Sequence, residues 1–262
     1  MSVQQENFKE IADAIREKTG SEELIKPSEF ASKIDDVYEE GTKSGVAKFW
    51  NGITDNGARG VYGYAFRYMR FDEELLSEPI IVRPTIATNM FHEAKGEVDL
   101  AEIEKNGGVK FDFSKCTGAD YLFRDVEFTG VGVIDATSFN NLDRIFYCGA
   151  KTNSHIKWVE KLIVKETHTF SNTFRYNEAL EHIIFEGTIG NPLNMRDCNK
   201  LDKASIESAV NCALNVNTVS LTFSEEAVNK AFETSEGAND GSASAEWATL
   251  IGTKPNCTIS LA

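Results

Sequence analysis

The first fifty residues carry apolar side chains at the spacing of an α-helix. Phe8, Ile11 and Ile15 recur three or four positions apart, and Gly20 would end this helix. A second pattern of the same period follows Pro27. Helices this short need a partner that covers their apolar faces: the downstream domain, another copy of the chain or a different assembly component. We therefore predict that residues 1–50 form a helical segment that attaches the chain to other proteins or makes it a homo-oligomer.

Residues 51–90 are rich in aromatic residues, glycine and arginine and follow no clean period. Within them Tyr62, Tyr64, Phe66 and Tyr68 stand at alternate positions, a pattern that favours a strand. We interpret 51–90 as an irregular, partly stranded connector.

An internal repeat follows the connector. Residues 112–123, DFSKCTGADYLF, align without gaps on residues 135–146, DATSFNNLDRIF, and both copies open with Asp and close with Phe. A second alignment places Phe123-Arg124 on Phe174-Arg175. Short apolar runs predict strands at 111–113, 131–135, 161–166 and 182–187, with centres roughly 22, 29 and 21 residues apart. These spacings lie in or near the leucine-rich-repeat range of about 20–29 residues.

The repeat leads to a fold prediction. One unit cannot bury both its strand and its phenylalanine, whereas stacked units form a parallel sheet with the phenylalanines inside. We therefore predict an irregular leucine-rich-repeat-like parallel β solenoid over residues 91–200, with Phe123, Phe146 and Phe174 in one continuous column of its core.

The repeat is lost in residues 201–262. Their pattern predicts a helix from Leu201, a strand from Thr218, a helix capped by Ser224, a helix over 245–251 and a final strand. We interpret this part as an α/β C-terminal cap. The predicted fold class is thus α+β: a helical N-terminal segment, a connector, a solenoid and a cap.

Composition and charge limit the partners. The 41% hydrophobic content of the 262 residues supports a buried core. A net charge of −14 argues against nucleic acid and anionic membranes as partners. We find no apolar run long enough to span a membrane and no signal peptide. The five cysteines are widely spaced, odd in number and without a CxxC pair, so we expect reduced, buried thiols.

The common catalytic motifs are absent from the sequence. HExxH, GxSxG, a Walker loop and GxGxxG are all missing, and the four histidines have no metal-ligand spacing. Asp112, Asp135 and Glu186 recur at equivalent places in the repeat, so we expect them to end strands or to satisfy turn amides. We therefore predict no catalytic residues, no cofactor and no metal site, and classify the chain as a non-enzyme.

Several of these segments resemble a known family. FDFSKCTGADYLF, GVIDATSFNNLDRIFYC and HTFSNTFRYNEALEHIIFEGTIG resemble the irregular BspA-type leucine-rich-repeat proteins of phages and prophages of gut Firmicutes. The opening IADAIREKTGSEELIKPSEFASKI is similar to a helical segment of phage minor structural and tail proteins. The resemblance implies a virion protein of the tail tip, baseplate or fibre, made in the host cytoplasm. Its 1–50 helices would contact other tail proteins, and its repeat would bind a host surface protein or glycan.

A ligand of such a protein would contact outward positions and loops that interrupt the repeat. The partner-binding candidates are Tyr147, Trp158, Arg175 and Tyr176, because aromatic residues and arginine are enriched at binding hot spots. For Trp158 a packed position under the inserted stretch KTNSHIKW is the alternative.

Two other functions stay open at this point. A bacterial surface adhesin of the same repeat type would need an export signal or a wall anchor, and we find neither. A polysaccharide-degrading tail enzyme would need a pair of carboxylates close together in space, which the sequence does not reveal.

Overall fold

The computed structural model describes residues 60–61, 65–77, 79–232 and 244–262. These residues belong to one compact unit, Gly57–Ala262. The helices predicted for 1–50, together with Tyr62 and Tyr64, lie outside the described residues. In the remainder of the predicted connector strand, residues 65–68 form a turn instead, which buries Phe66 and leaves Tyr68 exposed.

The core is organised around five tight turns, each of which buries one phenylalanine. We call these turns, centred on Phe66, Phe91, Phe123, Phe146 and Phe174, the turn stack. The five side chains are at most 2% exposed. Neighbouring rings lie nearly parallel, with successive centroids 5.4, 5.4, 5.6 and 5.6 Å apart. The column expected for Phe123, Phe146 and Phe174 is therefore present, and two further rings extend it.

Backbone hydrogen bonds join the turns to one another. The amides of Phe91, Phe123 and Phe146 donate to carbonyls of the next turn over 3.1, 2.8 and 3.2 Å. Residues two positions before or after the phenylalanine have positive φ angles, which turn the chain sharply but which side chains adopt reluctantly. They are Tyr68, Asn89, Glu93, Tyr121, Asp125, Arg144, Asn172 and Tyr176. The turns are thus held by paired backbone groups as well as by buried rings.

The strands between the turns are short and belong to four separate sheets. They are β1 (Gly60–Val61), β2 (Ile81–Val82), β3 (Pro84–Ile86), β4 (Lys110–Phe111), β5 (Gly130–Asp135), β6 (Trp158–Val164), β7 (His182–Gly187), β8 (Leu193–Met195), β9 (Ser220–Phe223) and β10 (Thr258–Leu261). Two sheets have two strands, β1-β3 and β2-β4, and two have three strands, β5-β6-β7 and β10-β9-β8. Every neighbouring pair within these sheets is parallel.

Helices cover both edges of the sheet β5-β6-β7. On the β5 side lies α1 (Leu100–Lys105), whose Ala101 would be 3.7 Å from a Cβ placed on Gly132. On the β7 side lies α2 (Lys203–Cys212), where the hydroxyls of Ser205 and Ser208 accept hydrogen bonds from the amides of Ile183 and Phe185, at 2.8 and 3.1 Å. Because these edges are occupied, the sheet ends after three strands.

The prediction of a leucine-rich-repeat-like parallel β solenoid is therefore wrong. It required the strand at 111–113 to pair with β5, but β4 pairs with β2, and the strands are distributed over four small sheets. The physical reason is local: Asp99 caps a helix at the point where the turn of Phe91 should lead into a strand, and that helix covers the edge of β5. The described architecture is a mixed α/β arrangement of small parallel sheets and four helices.

Several finer predictions are confirmed. The strand predicted at 182–187 has the bounds of β7, and Phe123, Phe146 and Phe174 are buried. All five cysteines are free thiols; four are buried and Cys212 is half-buried.

The recurring acids have the structural role that we expected in two of three cases. Asp112 accepts a hydrogen bond from the amide of Ser114 at 3.1 Å, and Asp135 accepts one from the amide of Thr137 at 3.0 Å. In both cases the aspartate side chain closes a turn. Glu186 instead pairs with Lys161 across the sheet, at 2.6 Å.

The secondary structure predicted beyond residue 200 is confirmed element by element. Besides α2, β9 and β10 it comprises α3 (Glu225–Ala231) and α4 (Ala245–Gly252), and Ser224 accepts a hydrogen bond from Ala227 as the N-cap of α3. These elements do not close a solenoid, because β9 pairs with both β8 and β10 to form a sheet of its own. No helix in the described part of the chain is long and apolar enough to cross a membrane.

Candidate functional site

Tyrosine rings and guanidinium groups alternate in a row at the surface of the turn stack. The row, which we call the Tyr–Arg surface, comprises Tyr121, Arg124, Arg144, Tyr147, Arg175 and Tyr176. Arg175 is exposed and the other five are half-buried. Three consecutive turns, those of Phe123, Phe146 and Phe174, supply two residues each.

The contacts within the row form one continuous series. Arg144 lies 5.2 Å from the ring centre of Tyr121, and Arg124 lies 5.2 Å from Tyr121 and 5.4 Å from Tyr147. Arg175 lies 5.8 Å from Tyr147 and 4.6 Å from Tyr176, and its Nη2 donates to the hydroxyl of Tyr176 over 2.9 Å. The rings of Tyr121 and Tyr147 meet edge to face at 5.8 Å. In each of these contacts the guanidinium charge is attracted to the electron-rich face of a tyrosine ring.

The turns hold this row in place. Each member is one or two residues from a buried phenylalanine, and Tyr121, Arg144 and Tyr176 occupy the positive-φ positions. The amide of Arg144 donates to Ser171 and that of Cys148 donates to Arg175, both over 3.0 Å. A ligand would therefore meet side chains whose backbone is already ordered, which reduces the entropy lost on binding.

The last turn of the row adjoins a small cavity of about 190 Å³. Its lining combines two guanidinium groups with two amides and one carboxylate, from Asn172, Arg175, Asn194, Arg196 and Asp197. The carboxylate of Asp197 already accepts a hydrogen bond from the backbone amide of Tyr176 at 2.9 Å. The cavity thus offers mainly hydrogen-bond donors, which suit a carboxylate or phosphate group.

The structure brings three of the four sequence candidates together. Tyr147, Arg175 and Tyr176 are in contact at one end of the Tyr–Arg surface. Trp158 instead begins β6 and stacks on the ring of His182, with the centroids 3.7 Å apart. It is 45% exposed, so the alternative of a packed position under the inserted stretch is wrong.

Sequence reasoning missed the other half of the row, Tyr121, Arg124 and Arg144. The alignment of Phe123-Arg124 on Phe174-Arg175 contained the necessary signal, because equivalent turn positions project to one side of the stack. A second missed group is formed by His92, Glu93 and Asp125, whose ligand atoms lie within 4.8 Å of one another and could hold a metal ion.

Acidic side chains share a second cavity, and two of the buried thiols have raised pKa values. A cavity of about 370 Å³ is lined by Glu73, Glu97, Asp99 and Glu102. Asp99 caps α1 and Glu102 pairs with Lys105, so two of these four acids already have structural partners. Burial raises the pKa of Cys116 to about 11 and that of Cys148 to about 12, and both thiols are therefore protonated at neutral pH.

No family model, curated protein or solved structure matches the chain. Its functional interpretation therefore depends on the geometry of its own residues.

Proposed function

We propose that this chain is a non-enzymatic binding protein of a phage tail, baseplate or fibre, and that the Tyr–Arg surface holds its ligand on the host surface. The observation that carries the proposal is the alternating row of tyrosine rings and guanidinium groups on consecutive ordered turns. Tyrosine and arginine dominate binding hot spots because they combine large contact area with hydrogen bonding.

The ligand that suits this surface best is a glycan that carries acidic groups. Planar tyrosine faces pack against the apolar faces of sugar rings, and guanidinium groups form two-pronged hydrogen bonds with carboxylates or phosphates. The row contributes three guanidinium groups, one of them paired with Asp125, in a chain whose net charge is −14. Because the rest of the chain repels anions, binding of an acidic glycan would be confined to this surface.

The virion location is supported by the resemblance of the opening segment to phage minor structural and tail proteins, and of the repeat segments to BspA-type proteins of phages and prophages. In this proposal residues 1–50 attach the chain to other tail proteins or to further copies of itself, and the part that follows binds the ligand. Attachment and ligand binding would then depend on different parts of the chain.

The test of ligand binding compares two double variants. Arg124→Ala with Arg175→Ala removes two guanidinium groups from the Tyr–Arg surface. Arg70→Ala with Arg83→Ala removes the same charge from exposed positions elsewhere. We expect the first variant to bind host cells at least about 10-fold more weakly than the natural chain does. The control should bind them within about 2-fold of the natural chain.

Treatment of the cells separates the ligand classes. Binding that survives protease treatment and is lost after removal of acidic wall polymers supports a glycan. Loss of binding after protease treatment would identify a protein receptor instead. Equal binding by both double variants would reject the Tyr–Arg surface as the site, and release of soluble sugar from the cell walls would reject a non-enzymatic role.

The virion role has a separate test. Purified particles should contain the full chain, detectable by mass spectrometry, and a chain that begins at Asn51 should be missing from them. Light scattering of both chains in solution would show whether 1–50 also makes the protein a homo-oligomer. Particles that lack the full chain would contradict the virion role and leave the ligand-binding result unaffected.

A further inference from the structure

Two neighbouring turns of the stack bring a histidine and two carboxylates together. His92 and Glu93 follow Phe91, and Asp125 follows Phe123. Glu93 and Asp125 occupy the same position in their turns, two residues after the phenylalanine, with φ angles of 56° and 51°. The amide of Glu93 donates to the carbonyl of Arg124 over 2.8 Å, which fixes the two turns side by side. One ligand atom from each of the three side chains lies within 4.8 Å of the other two.

The imidazole of His92 lacks the partners that a buried histidine needs. The residue is only 4% exposed, and neither ring nitrogen has a hydrogen-bond partner among the described residues. Nε2 lies 3.1 Å from Oε1 of Glu93, but the geometry is not that of a hydrogen bond. An unsatisfied buried polar atom costs about 1–3 kcal/mol, so this site calls for an additional group that interacts with the ring.

We propose that His92, Glu93 and Asp125 bind a divalent transition-metal ion, with zinc as the best fit. One imidazole nitrogen and two carboxylate oxygens are a ligand set that zinc accepts, with water in the fourth position. Glu93 supplies one negative charge, and Asp125 divides its charge between the ion and Arg124. Burial, followed by the nearby charges of Arg124 and Arg67, lowers the pKa of His92, and the neutral ring is the form that coordinates a metal.

The surroundings of Asp125 orient its carboxylate for this role. Its Oδ1 accepts hydrogen bonds from the amide of Gly149 at 2.6 Å and from Asn153 at 3.1 Å, and its Oδ2 accepts one from Nε of Arg124 at 3.1 Å. A carboxylate oxygen can accept more than one partner, so Oδ2 retains a lone pair for the ion. Such outer contacts are typical of metal-binding carboxylates.

The proposed ion would share the carboxylate of Asp125 with one side chain of the Tyr–Arg surface. Arg124, which contacts Asp125, is the guanidinium group between the rings of Tyr121 and Tyr147. The metal site nevertheless stands independently of the proposed function, because metal binding can be measured without any knowledge of the ligand.

The experiment is a titration of the full, chelator-treated chain with zinc. Binding is measured by calorimetry and by the shift of the unfolding temperature. We expect one site and a higher unfolding temperature in zinc, because an ion that binds only the folded state stabilises it. His92→Ala and Glu93→Gln should each weaken binding by at least about 100-fold. His155→Ala, a histidine outside the cluster, should bind as the natural chain does.

A conservative variant and a metal spectrum complete the experiment. Glu93 is half-exposed and Glu93→Gln preserves its shape, so this variant should fold even if His92→Ala does not. Cobalt in place of zinc should give a spectrum without a sulfur-to-metal charge-transfer band, which would exclude the cysteines as ligands. The proposal is overturned if the natural chain shows neither heat nor a thermal shift with zinc. It is also overturned if Glu93→Gln and a folded His92→Ala bind zinc as tightly as the natural chain.

Discussion

The turns of this protein form one continuous stack, whereas its strands do not form one continuous sheet. The turn stack is continuous from Phe66 to Phe174, with four ring contacts of 5.4–5.6 Å. The strands that connect the same turns are divided among separate sheets, and β4 does not pair with β5. One repeated sequence thus produces a regular structure on one side and an interrupted structure on the other.

The difference follows from what each side requires of its sequence. A turn needs one buried ring and backbone that tolerates positive φ, and these requirements recur at every unit. A strand needs several consecutive residues whose backbone groups can pair with neighbouring strands on both sides. A single helix-capping residue is enough to turn such a segment into a helix. We infer that the turns hold the fold together and present the Tyr–Arg surface, whereas the strands vary from unit to unit.

Removing the central ring of the stack should have the largest effect. Phe123 contacts the rings of Phe91 and Phe146 and is 2% exposed, so Phe123→Ala leaves a cavity between them. We expect a loss of about 3–5 kcal/mol in the free energy of unfolding, measured by urea denaturation. Tyr68→Ala, at a 56% exposed position of the stack, should change it by less than about 1 kcal/mol. Similar losses for both variants would contradict the importance of the ring column.

The strand side has its own sensitive position at the end of β7. Gly187 has a φ of +98°, and a Cβ placed there would lie 2.0 Å from the carbonyl oxygen of Val164. We expect Gly187→Ala to lower the unfolding free energy by about 2–3 kcal/mol. Gly107→Ala is the matched control, because its φ is +84° and a Cβ would meet no atom within 4 Å. A loss at Gly107 as large as that at Gly187 would show that backbone strain, and not the contact with Val164, sets the cost.

The edge of β7 provides a third comparison. Ser205 is buried, and its hydroxyl is the acceptor for the amide of Ile183. Ser205→Ala leaves that amide without its acceptor and should cost about 1–3 kcal/mol, measured by thermal unfolding. Ser220→Ala, a half-buried serine of β9, is the control. An unchanged unfolding temperature for Ser205→Ala would mean that α2 does not seal this sheet edge.

The recurring elements could be predicted from sequence because their signals are local. The burial of Phe123, the bounds of β7 and the cap at Ser224 each depend on a few neighbouring residues. The sheet order could not be predicted, since it depends on whether α1 or a strand occupies the edge of β5. The cluster of His92, Glu93 and Asp125 escaped for a related reason: its members come from different turns and share no short motif.

The smallest effect expected is a pH dependence that originates in a buried histidine next to Phe139. His168 is fully buried; its Nε2 donates to the carbonyl of Phe139 at 3.1 Å, and its Nδ1 accepts from the amide of Lys165 at 3.2 Å. Burial lowers the pKa of His168 below the ordinary value of 6.5. The unfolded chain therefore binds a proton more readily, and stability that is complete above pH 6.5 falls as the pH decreases toward the folded pKa.

The measurement is the free energy of unfolding at pH 7.5 and pH 5 for the natural chain and for His168→Gln. We expect His168→Gln to lose less stability than the natural chain over this interval. His92 has a lowered pKa too, but it is present in both chains and cancels in the comparison. Equal losses would show that protonation of His168 does not weaken the fold.

Amide hydrogen exchange of the full chain tests the importance of the turns most directly. The amides of Phe91, Phe123 and Phe146 donate from turn to turn, and the amides of β6 donate within the longest strand of the described residues. If the turns hold the fold together, the three phenylalanine amides will exchange as slowly as those of β6, at the rate set by global unfolding. Exchange of the turn amides orders of magnitude faster than that of β6 would contradict this account, because the turns would then open while the sheet stays intact.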